Sequence, residues 1–326
     1  MGKGLRMELA LDRASNTSQY ASKVKKGKAG PFACHDCSQD VDHVSGYHYR
    51  QDDARLHRYI PSYYRLAKHK DHQKGCSYTP LGQVEELVAA AAAVEDSVNP
   101  FERQPNNDLS FRINIPNEEV QALGRPDGET DPKKEFKQRI ERVWTGQRIA
   151  SYCRSAVGLA KLWAALEGPD GRAELRNAVT ITHLDQIIPW EDFFFSHKRY
   201  ASLANRIREN NLNHPAAAVV VIQKVHEMPS GDLKCECSSE RSPRSDSIRI
   251  TPYVYLPAKL KGLVEKNGRY IVFGSWWWVY EKEWSPKDNG KLKIRYRSVA
   301  VRVYQTAQVA RIDVPAEDEE EPFQTA

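Results

Sequence analysis

Cys34-His35-Asp36-Cys37 and His72-Gln73-Lys74-Gly75-Cys76 decide how the N-terminal part of this chain folds. The first stretch offers two thiolates two residues apart, and the second an imidazole and a thiolate joined by a short hook. Zinc takes four nitrogen or sulfur ligands in a tetrahedron, and each short spacing lets one tight turn present two of them to the same ion. Thirty-four residues separate Cys37 from His72, room for a hairpin and a short helix but not the layout of a conventional small finger. A lone C-x-x-C serves redox chemistry equally well. Thioredoxin-like chemistry, however, needs a helix directly after the motif, and Ser38-Gln-Asp-Val-Asp-His43 starts none with an apolar face. The spacing therefore predicts a zinc site at Cys34, Cys37, His72 and Cys76, with His69 and His57 in range as alternatives to His72. Four protein ligands leave no position for water, so the expected ion is structural Zn2+.

Working outward, the 326 residues suffice for two or three domains, and an apolar fraction of 40% leaves room for solvated connectors. No stretch reaches the eighteen apolar residues of a membrane span, and Met1-Gly-Lys-Gly-Leu-Arg lacks the apolar core of a signal peptide. A soluble, cytoplasmic protein with no membrane partner is expected. The six cysteines agree. Three belong to the zinc site, Cys153 lies in a helical pattern, and Cys235 and Cys237 share one face of a strand as ordinary reduced thiols. The net charge of +5 includes an acidic tail, Asp313 and Glu317 to Glu321, whose six acids leave the rest of the chain at +11. A body that basic favours an anionic partner, nucleic acid first.

The expected class is α+β: an N-terminal zinc-binding module, a helical connector and a mainly antiparallel, barrel-like C-terminal domain of OB-like type. Residues 1–20 are polar and without periodicity, a flexible arm. Residues 21–85 form the zinc-binding module, where Lys23, Lys25, Lys26 and Lys28 precede the first knuckle. Basic residues from Arg50 to Lys70 there alternate with Tyr47, Tyr49, Tyr59, Tyr63 and Tyr64, which suits either a nucleic-acid surface or a small tyrosine core. Residues 86–132 hold an alanine-rich helix, Leu87 to Val94, and then linkers around Asn99-Pro100 and Gly124-Arg-Pro126. Apolar residues from Phe136 to Leu166 recur at helical spacing in a segment spanning 133–177.

Residues 178–312 are β-rich. Five runs, beginning at Val179, Ala218, Ile248, Tyr270 and Leu292, surround a helix over Tyr200 to Asn210, and five strands match the count of an OB-like barrel. If Tyr270 to Tyr280 is one strand, alternation puts Ile271, Phe273, Trp277 and Val279 on one face and Tyr270, Trp276, Trp278 and Tyr280 on the other. The second face would be a stacking platform for single-stranded nucleic acid, with Arg249, Lys293, Arg295 and Arg297 as its basic rim. Packing against the helical segment would bury the same tryptophans instead. Residues 313–326 read as a disordered acidic tail. Its Glu317-Asp-Glu-Glu-Glu-Pro-Phe323 is similar to the peptide by which bacterial single-stranded DNA-binding proteins recruit partners, which implies a protein partner, although Gln324-Thr-Ala326 follows the phenylalanine here.

Walker, G-x-S-x-G and G-x-G-x-x-G motifs are absent. His183-Leu-Asp-Gln-Ile-Ile-Pro189 is similar to the core of HNH nucleases, but Gln186 stands where that family has its metal-binding or general-base histidine. The order Pro31-Phe-Ala-Cys34-x-x-Cys37, an aromatic and basic run, then His72-x-x-x-Cys76-x-Tyr78 resembles the N-terminal zinc-binding region of competence-protein CoiA-like proteins over about residues 20–80. The resemblance implies zinc recognition in a DNA-associated protein. The expected function is a zinc-containing, bacterial or mobile-element type protein that binds single-stranded DNA or RNA, through Lys25, Lys26, Arg249, Tyr270, Trp276, Trp278, Tyr280, Arg295 and Arg297. A divergent DNA nuclease and a protein-interaction adaptor are the alternatives.

Overall fold

The computed structural model of the chain describes residues 5–25, 30–50, 57–68, 70–73, 75–93, 99–104, 108–113, 147–166, 169–184, 186–242, 245–284 and 294–312. Lys26, His69, Asp185, Lys293, residues 114–146 and the acidic tail lie outside them. The chain is a mixed α+β protein, mostly sheet, and divides into two compact units. One comprises Met1–Glu86, Leu162–Ala178 and Val314–Ala326; the other comprises Leu87–Lys161 and Val179–Asp313.

The first unit is built on strands β1 (Leu9–Asp12), β2 (Thr17–Tyr20), β3 (Phe32–Cys34), β4 (Asp40–Val44) and β7 (Tyr63–Leu66), in the order β2-β1-β3-β4-β7. Strands β5 (Tyr47–Arg50) and β6 (His57–Ile60) form a separate antiparallel hairpin. The expected flexible arm is instead a hairpin of this sheet, with β1 pairing both β2 and β3. The reason is that Met7 and Ala10 bury fully in a core with Phe32, Val41, Tyr64 and Leu66, a contact with residues distant in sequence. Phe32 meets the Tyr64 ring edge-on at 5.1 Å between centroids. Tyr64 is therefore core; Tyr47, 41% exposed, is not.

Helix α1 (Pro80–Ala92) carries the expected alanine run. Helix α2 (Gln147–Ala165) lies within the expected helical segment, and helix α3 (Pro169–Ala178) runs one residue past its end.

In the second unit, the expected linker around Asn99-Pro100 contains β8 (Phe101–Arg103) and β9 (Leu109–Arg112). Strand β9 pairs in parallel with β10 (Val179–His183), which turns into β11 (Gln186–Ile188), giving the order β11-β10-β9-β8. Helix α4 (Trp190–Phe193), β12 (Phe194–Phe195) and helix α5 (Tyr200–Arg208) follow.

The largest sheet has nine strands rather than five. Its hydrogen-bonded order is β18 (Trp276–Trp284), β19 (Ile294–Arg302), β16 (Ser245–Leu256), β14 (Leu233–Cys237), β13 (Ala216–Glu227), β17 (Arg269–Gly274) and β20 (Val309–Arg311). Strand β12 pairs with β13, and β15 (Glu240–Ser242) with β16. The sheet is open, not the closed barrel expected. Its two longest strands explain the difference. Strand β13 pairs β17 along Ala216–Val221 and β14 along Ile222–Glu227, whereas β16 pairs β19 in parallel, a pairing that local sequence does not signal. The other pairs along this order are antiparallel.

One face of this sheet and helix α5 enclose the main core: Ala218, Val220, Ile222, Cys235, Ile250, Val254, Val299 and Val301 pack with Tyr200 and Leu203. On the opposite face of β17, Phe273 meets Phe193, which in turn meets Phe111 of β9. Strand β17 is thus covered on both sides, and its Tyr270-Ile-Val-Phe273 is at most 2% exposed. No described helix is long and apolar enough to cross a membrane.

Candidate metal centre and sheet face

Strand β3 delivers Cys34 into a turn in which the Cys34 N–H donates to the Gln39 carbonyl (2.7 Å) and the Ser38 N–H to the Cys34 carbonyl (2.9 Å). Ser38 takes a positive φ of 57°, which folds the two cysteines to one side. The second hook turns at Gly75 (φ 86°), where glycine adopts the left-handed region without strain. Between the hooks, the Ser77 N–H donates to Asp36 Oδ2 at 2.6 Å. The start of α1 is tied to the same place: Thr79 Oγ1 donates to the Cys76 carbonyl (2.7 Å) and accepts from the Gly82 N–H (2.9 Å), as an N-cap does.

These turns bring four ligand atoms within 4.8 Å of one another, on Cys34, Cys37, His72 and Cys76. Cys34 Sγ lies 3.8 Å from Cys76 Sγ, and His72 Nδ1 lies 3.3 Å from Cys37 Sγ and 3.4 Å from Cys76 Sγ. A tetrahedral ion held at about 2.3 Å from sulfur and about 2.0 Å from nitrogen sets S···S near ~3.8 Å and S···N near ~3.5 Å. The donor set fits a metal ion of that size. His72 supplies the fourth corner; its ring stacks on Tyr78 at 6.1 Å.

Burial raises the Cys34 and Cys76 thiols above the usual range, and it lowers His72, keeping the imidazole neutral as a ligand must be. Cys37 is also opposed by burial, yet backbone N–H groups of Gln73 and Gln39 outweigh it and pull the thiol down. Cys153, Cys235 and Cys237 are buried free thiols. Cys235 and Cys237 belong to the main core, and Gln305 Nε2 donates to Cys153 Sγ.

The residues expected to contact nucleic acid are dispersed. Lys25 is exposed just beyond a 3-10 turn, and Lys26 lies outside the described residues. Tyr270, Trp276, Trp278 and Tyr280 do not share an open face, because the run breaks at Ser275 into β17 and β18. Tyr270 is in the core, and its hydroxyl accepts from the Glu265 N–H. Trp276 is 6% exposed and donates from Nε1 to the Ala216 carbonyl at 3.1 Å. Trp278 packs against the same core. Arg295 and Arg297 pair with glutamates directly opposite on β18: Arg295 Nε lies 3.6 Å from Glu283 and Arg297 Nε 3.3 Å from Glu281.

A register shift at Val279 alters which β18 side chains face outward. Beyond it, Tyr280 stands opposite Ser298 on the outer face rather than in the core. Successive cross-strand rows on that face read Arg249-Tyr296-Lys282, Thr251-Ser298-Tyr280, Glu236-Tyr253-Ala300-Trp277 and Lys234-Tyr255-Arg302. Tyr255 and Trp277 stack at 5.9 Å with planes 22° apart. The Lys234 ammonium lies 4.4 Å from the centre of the Tyr253 ring. Tyr253 and Tyr280 hydroxyls are 3.4 Å apart, and Tyr280 is 40% exposed. A hydrogen bond from Ser298, then one from Tyr253, lowers the Tyr280 phenol below its ordinary value, whereas burial raises Tyr253. Sequence reasoning passed over Tyr253, Tyr255 and Lys234, although Tyr253-Val-Tyr255 alternates against Val254 and Leu256 inside a run already expected to be a strand.

The HNH-like segment lies on β10 and β11. His183 is 3% exposed and donates from Nδ1 to the Ile113 carbonyl at 2.6 Å. Its ring is 6.3 Å from that of His214, which donates from Nδ1 to the Pro215 carbonyl. Among the described residues, Cys34, Cys37, His72 and Cys76 form the one group of three or more ligand-type residues close enough to hold an ion. Searches against protein-family models and against curated proteins find no match to this chain.

Proposed function

We propose that this chain is a zinc-containing protein that binds single-stranded nucleic acid, with the ion structural and the nucleic acid on the outer face of β16, β19 and β18. One observation carries the reading: Tyr255, Trp277 and Tyr280 gather on one sheet face beside the buried Tyr253, with Lys234, Arg249, Lys282 and Arg302 around them and Glu236 held by Lys224. Aromatic faces accept any base by stacking, and surrounding cations neutralise the backbone. The basic charge of the chain outside its tail supports the same partner class, as does the resemblance of its zinc region to CoiA-like proteins. The metal cluster itself has all four corners filled by side chains, so it organises the first unit and offers no position for a reacting water.

The test is fluorescence anisotropy of a labelled oligothymidine against the zinc-loaded chain across a salt series. Binding that weakens steeply with salt in the intact chain and falls at least tenfold in Trp277→Ala is expected. Affinity that is flat with salt, or equal in Trp277→Ala, would sink the reading.

A further inference from the structure

We infer that Arg249 holds a backbone phosphate at one end of this face, so that the site takes a short single strand and not a mononucleotide. The inference rests on the single-strand reading above and adds to it an anchor and a length. Three arginines of this part of the sheet were expected to form its basic rim, and they differ in what stands opposite them. Arg295 and Arg297 each have a glutamate in register on β18 and pair with it. Arg249 has Arg241 on one side and Tyr296 on the other, neither of which offers a carboxylate. Its Nε is withdrawn from solvent and donates to no acceptor among the described residues.

A guanidinium N–H taken out of water without an acceptor is unfavourable, and an anionic oxygen relieves it. The planar fork of arginine matches two oxygens of one phosphate. The carboxylate of Glu236, on the same face, lies two rows away and is held by Lys224 at 3.2 Å.

The length follows from the rows. Arg249 and Tyr255 are six residues apart on β16, about 20 Å at the rise of a strand. Trp277 and the exposed Tyr280 lie between Arg249 and the Arg302 row, in which Tyr255 stacks on Trp277. A single nucleotide reaches one part of this span, and an extended strand of several nucleotides covers it.

The probes are thymidine monophosphate and a ladder of oligothymidines, measured with the zinc-loaded full chain. Affinity should climb through the first few nucleotides and then level off. Arg249→Gln should weaken the longer oligomers about tenfold and lower the slope of log affinity against log salt by about 0.7. Arg249→Lys, which keeps the charge without the fork, should restore the slope and only part of the affinity. Replacing one phosphate with an uncharged methylphosphonate should cost the wild-type chain affinity and leave Arg249→Gln unaffected. If Arg249→Gln keeps both affinity and slope while Trp277→Ala loses binding, the anchor is refuted and the stacking face stands. If the wild-type chain binds no oligomer at low salt, both fall together.

Discussion

Removing the metal should open the first unit and leave the second intact. Eight apolar residues that are not ligands make up the buried cluster that packs with the ligand cysteines, and two of them are alanines. The six larger ones, Met7, Val24, Phe32, Val41, Tyr64 and Leu66, contribute on the order of 9–18 kcal/mol in gross burial, at about 1.5–3 kcal/mol each. A structural zinc contributes about 10–16 kcal/mol in small zinc modules. The ion thus supplies about as much as this cluster, and net stabilities are only about 5–15 kcal/mol. Amide hydrogen exchange before and after chelation reads this directly. Protection along β3, β4 and β7 should collapse with metal loss, while β13 and β17, walled by the main core, keep theirs. Cys37→Ala should reproduce the effect without a chelator. A metal-free chain whose β3 and β4 amides remain protected would refute this division of the stabilising energy.

Three further outcomes are expected. Gly82→Ala places a Cβ 2.2 Å from the Cys76 carbonyl oxygen, a backbone atom that cannot swing aside, so the variant should bind zinc more weakly in a competition titration. Trp276→Ala should cost about 3–5 kcal/mol in denaturant unfolding, because it empties core space and orphans the Ala216 carbonyl; Trp277→Ala should cost markedly less. Tyr280 should ionise below the ordinary tyrosine value and before Tyr253, and Ser298→Ala should raise it, as followed by phenolate absorbance. Because its folded value lies below its unfolded one, Tyr280 adds stability as pH rises into that range and gives it up as pH falls.

The metal ligands were legible because their geometry is local. Cys34 and Cys37 share one turn, His72 and Cys76 another, and only the meeting of the two turns is long-range. Helix α5 and strands β10, β13, β16 and β19 were legible for the same reason, from composition and period. The nine-stranded sheet was not, since the parallel pairing of β16 with β19 and the division of β13 between two partners depend on residues far apart in sequence. The stretch Tyr270 to Tyr280 misled for a physical reason too. Alternation assigns faces only within one uninterrupted strand. Ser275 interrupts the strand and Val279 shifts its register, so Tyr270 and Trp276 became core while Trp277 and Tyr280 turned outward. The hairpin β8–β9 hid behind Pro100 and Pro105, residues that punctuate a linker and a strand pair alike.

The single extra residue at Val279 works as a frame-setter for everything after it. Taking it into the ladder opposite Ser298 would exchange the two sides of β18 from there onward: Glu281 and Glu283 would turn toward the outer face, and Tyr280 and Lys282 would turn inward. A one-residue slip of β18 against β19 therefore separates a cationic, aromatic sheet surface from an acidic one on the same scaffold. The sign of charge that this face shows to a partner is inherited through strand register as much as through amino-acid identity.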